Sequence, residues 1–294
     1  MLSSSQIQSY AKINWTLDVL FKREDGFHEL RTIYQTVSLH DTLTITETDS
    51  PIEILCDDPR VPTDETNLAF KAAALLRETT CVSKGARIEI DKRIPVAAGM
   101  AGGSSNAAAT LLALVKLWEV KIDDRTLFRV AASLGSDVPF FLIGGTALGV
   151  GRGEEVYAIE QAECEHLLLV NPGFGVSTRD AYEKLSRLTR SESPSNIPFT
   201  LLAAKGVSGL PLVARNDLEE SVLAAHPEIA EVKRRLLSLG ARHAQMSGSG
   251  ATVFGVFDNS QLIEQAESEA RAAGYWAQRV RCIDSREYQA TIFQ

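Results

Sequence analysis

The chain has 294 residues, of which 45% are hydrophobic and 23% charged, and its formal net charge is −8. This length suits one large domain or two modest ones with a sizeable core. The acidic balance argues against broad nucleic-acid binding, and the sequence contains neither an apolar run long enough to span a bilayer nor a secretory signal in residues 1–10.

The first third of the chain is predicted to be rich in strands. Alternating or β-branched apolar residues run through residues 11–20, 31–39, 41–47 and 52–56. A helix is predicted over residues 67–77, and a further strand over residues 86–94, where Ile88 and Ile90 share one face.

A run of small residues follows this strand and leads into a helix predicted over residues 107–118. We call it the small-residue loop: Pro95-Val96-Ala97-Ala98-Gly99-Met100-Ala101-Gly102-Gly103-Ser104-Ser105. Small side chains let a ligand approach the backbone closely, and the free N–H groups of a helix start attract anions. The glycines alone fit a tight turn as well as a phosphate cradle. The hydroxyls of Ser104 and Ser105, with Asn106, supply helix caps and favour the phosphate cradle.

The small-residue loop matches neither common nucleotide fingerprint. A Walker loop needs a lysine near its end, and no lysine lies between Lys92 and Lys116. The glycine spacing of a dinucleotide fingerprint is absent as well. Charge on a polyphosphate would therefore be met by backbone dipoles, Mg²⁺ and residues from elsewhere in the chain.

The second half of the chain alternates between strands and helices. A helix over residues 124–134 is followed by a glycine-rich stretch at 144–153, which predicts a bend or hinge between two halves. Later come a strand at 166–170, a solvent-facing loop at 191–198, helices at 227–239 and 259–273, and a strand at 275–283. This alternation predicts an α+β sandwich of the ferredoxin-like kind.

Two polar positions are ambiguous by themselves. On the first predicted strand, alternation places Lys12 and Asn14 on one face and Ile13 and Trp15 on the other. Spacing alone favours a solvated polar face there. Asp137 follows a predicted helix end, where a turn or cap residue is commoner than a base.

The cysteines and histidines show no ligand or disulfide pattern. Four cysteines are widely scattered, at Cys56, Cys81, Cys164 and Cys282, and the five histidines lack metal-ligand spacing. This usage favours free thiols in a reducing compartment over a disulfide framework or a zinc site. We therefore expect a cytoplasmic protein.

Considered together, three segments resemble the three motifs of the GHMP kinases, which include galactokinase, homoserine kinase and mevalonate kinase. They are Lys12 with Asn14, Gly99-Met100-Ala101-Gly102-Gly103-Ser104-Ser105-Asn106, and Met246-Ser247-Gly248-Ser249-Gly250-Ala251. Four blocks narrow the resemblance to the member that phosphorylates a cytidine-diphosphate-linked polyol in the non-mevalonate route to isoprenoids. These blocks are Ala11-Lys12-Ile13-Asn14, Arg23-Glu24-Asp25-Gly26-Phe27-His28-Glu29-Leu30, Gly135-Ser136-Asp137-Val138-Pro139-Phe140-Phe141 and Arg215-Asn216-Asp217-Leu218-Glu219.

The resemblance runs from about residue 8 to the end of the chain. It implies a two-domain α+β fold, with residues 1–155 resembling a ribosomal-protein domain and carrying the ATP phosphate loop. Residues 156–294 would form a ferredoxin-like α/β sandwich whose final strand packs back on the first domain. The implied reaction moves the γ-phosphoryl group of ATP, with Mg²⁺, to a tertiary 2-hydroxyl in the cleft between the domains. The implied partners are these small molecules, with no nucleic acid or membrane, and a monomer or weak homodimer.

The resemblance also implies roles for single residues. The small-residue loop becomes the ATP phosphate loop, Asp137 the general base and Lys12 its catalytic partner. His28 would hydrogen-bond cytosine, beside Phe27, and Asn14 would help to place the acceptor. These roles agree with the chemistry, because phosphoryl transfer needs alignment, a carboxylate to accept the hydroxyl proton and a cation to balance charge.

Two departures from the family pattern stand out. Phe27 replaces the usual tyrosine, which preserves stacking but not a hydroxyl contact. Ala97 and Ala98 replace usual glycines, and alanine disfavours positive φ.

Three alternative functions remain open. They are another GHMP kinase, of the homoserine or mevalonate type, a non-catalytic sensor with this fold, and a nucleic-acid-binding module. The His28 block argues against the first, because those acceptors carry no base, and the presence of Lys12 and Asp137 argues against the second. The acidic charge argues against the third.

Overall fold

The computed structural model of the chain describes residues 3–187 and 214–293. The loop expected at residues 191–198 lies outside the described residues. Within the described ranges, no helix is long and apolar enough to cross a membrane. All four cysteines are free thiols.

The described elements alternate between strands and helices. The first half contains β1 (Ser4–Lys22), β2 (His28–Thr48), β3 (Glu53–Cys56), α1 (Leu68–Thr80), β4 (Gly85–Asp91), α2 (Gly102–Leu117), α3 (Asp124–Leu134), α4 (Phe140–Ile143), β5 (Thr146–Gly151) and β6 (Glu155–Ala158). The second contains β7 (Leu167–Asn171), α5 (Thr178–Arg187), β8 (Arg215–Asn216), α6 (Glu219–Ala225), α7 (Pro227–Ser238), β9 (His243–Met246), β10 (Val253–Val256), α8 (Ser260–Ala272), β11 (Trp276–Val280) and α9 (Ser285–Thr291).

The first sheet is built around the long antiparallel pair β1 and β2. Its order is β3-β4-β2-β1-β8, and β5 pairs with β2 and with β6. The two strands predicted at residues 31–39 and 41–47 are one continuous strand, because a register shift in β1 between Tyr10 and Ala11 absorbs the irregular stretch opposite. Different parts of β2 then pair with β4 and with β5.

Helix α2 begins at Gly102 rather than at residue 107. Its N-cap is Ala101, with φ of 55° and no side-chain cap hydrogen bond. Ser104, Ser105 and Asn106 therefore lie inside the helix rather than capping it. Because no side chain caps this end, first-turn N–H groups remain available to a ligand.

The glycine-rich stretch at 144–153 is not a hinge between halves, because it contains β5, which pairs with β2 from Leu30 to Gln35. At Gly149 an added Cβ would lie 2.5 Å from Cε2 of the buried Tyr34 ring. The glycine therefore makes room for a core aromatic side chain.

The second sheet confirms the predicted ferredoxin-like sandwich. Its order is β11-β7-β10-β9, and every pairing is antiparallel. Helices α7 and α8 are the two crossovers, which gives the β-α-β-β-α-β succession of that fold. Their buried residues pack with those of the sheet in one hydrophobic cluster.

The two sheets share a hydrophobic core. Trp15 of β1 meets Phe254 of β10 edge to face, with ring centroids 5.4 Å apart. Ile13 and Leu169 belong to the same buried cluster. The apolar face of β1 therefore packs against the second sheet. The opposite face, which carries Lys12 and Asn14, does not take part in this packing.

The predicted domain boundary between residues 155 and 156 falls inside β6, a strand of the first sheet. The chain changes sheets between Ala158 and Leu167. The final segment returns to the first sheet as helix α9 rather than as a strand, with single bridges from Cys282 to Val37 and from Phe293 to Ile7. The division into two domains stays a prediction.

We expect Gly149→Ala to lower the free energy of unfolding by about 1 to 3 kcal/mol, because the new methyl group overlaps the Tyr34 ring in a packed core. Urea unfolding at equilibrium measures this loss. Gly103→Ala is the matched control, because its Cβ would lie 3.7 Å from Leu68, an ordinary contact, in a helix that favours alanine. Equal stabilities of the two variants would contradict the packing argument.

Candidate active site

A cavity of about 990 Å³ opens beside the small-residue loop. Its wall combines parts of β1 and β2, the turn after α3, the start of α5 and the loop between β9 and β10. We call the last of these, residues 246–251, the late loop. Segments far apart in the sequence thus contribute to one concave surface, which is typical of small-molecule sites.

Lys12, Asn14 and Asp137 meet in this cavity. Lys12 Nζ donates to Asn14 Oδ1 at 2.7 Å and lies 3.5 Å from Asp137 Oδ2. The Lys12 side chain is only 4% exposed, whereas that of Asp137 is 31% exposed. The polar face of β1 is therefore buried against a carboxylate rather than solvated, and the carboxylate remains accessible to a ligand.

Tyr34 is a site residue that the sequence analysis missed. Its hydroxyl donates to Asp137 Oδ1 at 3.0 Å. Burial and the negative charge of Asp137 raise the pKa of Tyr34 well above its ordinary value, so the hydroxyl keeps its proton. Each Asp137 oxygen thus has its own neighbour, Tyr34 on one side and Lys12 on the other. Only the pairing of β1 with β2 indicates that Tyr34 belongs to the site, because this pairing sets Tyr34 opposite Asn14.

Most of the small-residue loop lines the cavity: Pro95, Val96, Ala97, Ala98, Gly99, Ala101, Gly102, Gly103 and Ser104. The side chains of Met100 and Ser105 do not. Met100 is fully buried in the core between the sheets. Ser105 is 1% exposed, and its Oγ accepts a hydrogen bond of 2.7 Å from Ser9 Oγ. Where the loop continues into α2, some of its side chains face the cavity and others the core. The sequence does not show this division, because all the residues of the run are small or apolar.

The family departure at Ala97 has a conformational consequence. Ala97 has φ of 54°, in the left-handed region that favours glycine. Its carbonyl accepts a hydrogen bond of 3.3 Å from Val176 N, which helps to hold the loop. Ala98 has no such positive φ and is buried. Only the first of the two alanines therefore adopts an unfavourable backbone conformation.

The late loop meets the small-residue loop at Gly99. Ser247 Oγ donates to Gly99 O at 3.0 Å, and Lys12 Nζ lies 3.5 Å from the same oxygen. A Cβ on Gly99, where φ is 78°, would lie 2.1 Å from Ser247 O. Glycine is therefore required at this contact, which places Gly248 and Ser249 in the cavity wall.

Another part of the wall carries aromatic side chains. The His28 ring stacks on Tyr182 of α5, with centroids 5.3 Å apart and planes at 25°. Phe27 is 52% exposed, and the Arg152 guanidinium lies 4.8 Å from its ring centroid. The sequence analysis missed Tyr182 and Arg152, because no local pattern relates these positions to the His28 segment.

Two family descriptions match this chain. Residues 67–145 match the GHMP kinases N terminal domain, and residues 206–275 match the GHMP kinases C terminal domain. A 4-diphosphocytidyl-2-C-methyl-D-erythritol kinase of Syntrophus aciditrophicus is 42% identical over 95% of this chain and 99% of its own length. One of the same name from Bacillus cytotoxicus is 41% identical over 96% and 98%. The chain belongs to the GHMP kinase family, among the 4-diphosphocytidyl-2-C-methyl-D-erythritol kinases.

Solved structures agree with this membership of the GHMP kinases. A crystal structure of 4-(cytidine 5'-diphospho)-2C-methyl-D-erythritol kinase matches with a TM-score of 0.79 and 33% identity, over 95% of this chain and 99% of its own. Homoserine kinase from Cytophaga hutchinsonii matches with a TM-score of 0.74 at 18% identity, over 96% and 95%. The second likeness shows the shared GHMP kinase fold alone.

His28 provides a testable electrostatic property of this GHMP kinase cavity. Burial, and secondarily the charge of Lys22, lower the pKa of His28 below its ordinary 6.5. Lys22 faces His28 directly in the strand register. Because the folded state binds this proton less readily than the unfolded state, His28 opposes folding as the pH falls below about 6.5 and has no such effect well above it.

We expect an NMR titration to place the His28 pKa below 6.5 and Lys22→Met to raise it. Because burial is the larger cause, the pKa in that variant should still lie below 6.5. Lys121→Met, at an exposed position that does not act on His28, is the control and should leave the pKa unchanged. An unshifted pKa in Lys22→Met would show that the two side chains do not interact.

Proposed function

We propose that this chain transfers the γ-phosphoryl group of ATP to the 2-hydroxyl of 4-diphosphocytidyl-2-C-methyl-D-erythritol, giving the 2-phosphate in the non-mevalonate route to isoprenoids. The observation that carries the proposal is the 3.5 Å contact between Lys12 and Asp137, beside the meeting point of two glycine-bearing loops. The cavity of about 990 Å³ has the size for two substrates.

Asp137 is the base in this proposal. Its carboxylate accepts the proton of the substrate hydroxyl as the oxygen attacks the γ-phosphorus, and the bond from that phosphorus to the bridging oxygen of ADP breaks. A tertiary alcohol is a poor acid, so a carboxylate within hydrogen-bond reach assists the attack. Tyr34 fixes the orientation of Asp137 through Oδ1 at 3.0 Å, which leaves Oδ2 beside Lys12.

Lys12 balances the negative charge that moves during the transfer. Its ammonium is buried, and low exposure strengthens its effect on nearby charge. Asn14 Oδ1 accepts from Lys12 Nζ at 2.7 Å, and Asn14 Nδ2 donates to Thr32 Oγ1 at 2.7 Å. Asn14 thereby fixes the direction of the Lys12 side chain as well as lining the acceptor position.

The polyphosphate of ATP lies on the small-residue loop in this proposal. Helix α2 has 16 residues, and its uncapped start at Gly102 adjoins the cavity. Free N–H groups and the helix dipole both attract anions there. Ser104 lines the same wall, so phosphate can be held without a lysine in the loop.

Mg²⁺ fits the oxygen donors of this cavity. Across residues 3–187 and 214–293, no group of three or more His, Cys, Asp or Glu could hold a metal. Mg²⁺ commonly binds through one or two carboxylates, substrate phosphates and water. The phosphates of ATP would therefore supply most of its ligands here, with Ser104 in the same wall as a further oxygen donor. When bound, it would neutralise phosphate charge.

Phe27 and His28 form the base-recognition end in this proposal. The exposed Phe27 ring offers a face on which cytosine stacks, and the ring nitrogens of His28 can hydrogen-bond its polar edge. The lowered pKa of His28 means that a neutral ring does so at pH 7. Homoserine and mevalonate carry no base for this end, which disfavours another GHMP kinase activity.

We expect Asp137→Asn to lower kcat by about a hundred- to ten-thousandfold with the fold intact, because the amide keeps the shape but cannot accept the proton. A coupled assay of ADP release measures kcat with ATP, Mg²⁺ and the cytidylyl polyol. Asp123→Asn is the matched control, because Asp123 caps α3 and asparagine caps equally well. Near-normal turnover of folded Asp137→Asn would exclude Asp137 as the base.

We expect His28→Ala to raise KM for the cytidylyl polyol roughly ten- to hundredfold, while KM for ATP stays within twofold. The same assay, run with homoserine and mevalonate as acceptors, tests the alternative activities. Phosphorylation of either acceptor, or equal changes in both KM values, would contradict the assignment of this end to cytosine. Absence of turnover with every acceptor would favour the non-catalytic sensor.

A further inference from the structure

The segment Arg215-Asn216-Asp217-Leu218-Glu219 has no role in the chemistry above, although its sequence is distinctive. Its strand β8 docks in parallel on β1. Arg215 Nε donates to the buried Asp18 Oδ1 at 2.6 Å, and Asp217 Oδ2 accepts from Val19 N at 2.9 Å. The segment is therefore anchored to the strand that carries Lys12.

Asn216 connects this anchored segment to the late loop. Its buried Nδ2 donates to Met246 O at 2.9 Å and to Gly248 O at 2.7 Å. Its Oδ1 accepts from Leu218 N at 3.0 Å. Both amide hydrogens and the carbonyl oxygen are thus engaged, which only asparagine, among residues of this size, can provide.

The late loop is also held from its other side. Glu219 Oε1 accepts from Met246 N at 2.8 Å, and Glu219 Oε2 accepts from Lys233 Nζ at 2.7 Å. The N–H and the carbonyl of Met246 are therefore bound by two residues of the same segment. This arrangement fixes where the chain leaves β9 and enters the cavity wall.

The position of Gly248 affects the reacting groups directly. A Cβ at Gly248 would lie 2.9 Å from Gly99 O and 3.4 Å from Lys12 Nζ. A shift of the late loop would therefore reach both the small-residue loop and the lysine beside Asp137. Misplacement by about 1 Å near a reacting centre can cost a hundredfold in rate.

We propose that Asn216 is a positioning residue for phosphoryl transfer, which holds the late loop against the small-residue loop and Lys12. The proposal rests on the proposed function, because it assigns the late loop to the ATP end of that site. Asn216 itself does not line the cavity. It acts through Gly248 and Ser249, which do.

The test compares two buried asparagines in the full chain. Asn216→Asp preserves size and the acceptor oxygen but turns an oxygen toward two carbonyls, which repels the late loop. Asn171→Asp is the matched control, because Asn171 is also buried but its Nδ2 donates to the hydroxyl of Thr252 at 3.1 Å, which can reverse its direction. Asn216→Ala removes both donors without a buried charge and replaces Asn216→Asp if that variant does not fold.

We expect Asn216→Asp to lower kcat roughly ten- to hundredfold and to raise KM for ATP, with both parameters within threefold of wild type in Asn171→Asp. The Kd for CDP, measured by calorimetry, should stay within twofold of wild type in both variants, because CDP occupies the Phe27 and His28 end. Equal losses of kcat in the two variants would reduce Asn216 to a structural role. Unchanged kcat and KM in folded Asn216→Asp would overturn the proposal outright.

A failure of the proposed function can be distinguished from a failure of the positioning role of Asn216. It appears as a wild-type chain that does not phosphorylate the cytidylyl polyol, whatever the variants do. In that case Kd for ADP and amide hydrogen exchange at Gly248 and Ser249 still test the positioning role. Weaker ADP binding with faster exchange in Asn216→Asp, but not in Asn171→Asp, supports it, and unchanged values in both variants overturn it.

Discussion

The close contact between two loops at Gly99 is the constraint on which the active site depends. One loop begins a helix on the first sheet, and the other joins two strands of the second. Ser247 Oγ donates to the Gly99 carbonyl at 3.0 Å, and a side chain at position 99 would collide with the Ser247 backbone. A site that must surround a polyphosphate needs backbone from both halves, and glycine is the residue that permits such an approach.

Strand β1 connects the active site to the packing of the two sheets. Its alternate residues serve two purposes, because Lys12 and Asn14 face the cavity while Ile13 and Trp15 fill the core between the sheets. A slip of one residue in the pairing of β1 with β2 would exchange the two faces. Packing of the second sheet on Trp15 therefore also sets the lysine beside Asp137, so stability and chemistry depend on the same register.

Sequence patterns predicted those parts of the structure that depend on local order. Alternation set Lys12 and Asn14 on one face, and periodicity located most helices, including both crossovers of the ferredoxin-like sandwich. The start of α2 was misplaced, because a run of small residues has no apolar period to mark its first turn. Tyr34 and Tyr182 were missed because their roles depend on strand register and on packing between distant segments. The engagement of Asn216 with the late loop is likewise invisible in a single sequence.

The contact between helix α9 and strand β1 has a consequence for the order of folding. Gln8 N donates to Ile292 O at 2.8 Å, and Tyr288, buried under α4, donates to the Phe141 carbonyl at 2.5 Å. These partners of the first sheet come after all four strands of the second sheet in the chain. The first sheet therefore depends on contacts between residues nearly the whole described chain apart, and contacts of such sequence separation carry a large loop-closure cost and slow folding. The core of the first sheet is complete only when α9, which follows the second sheet in the sequence, has packed against β1 and α4.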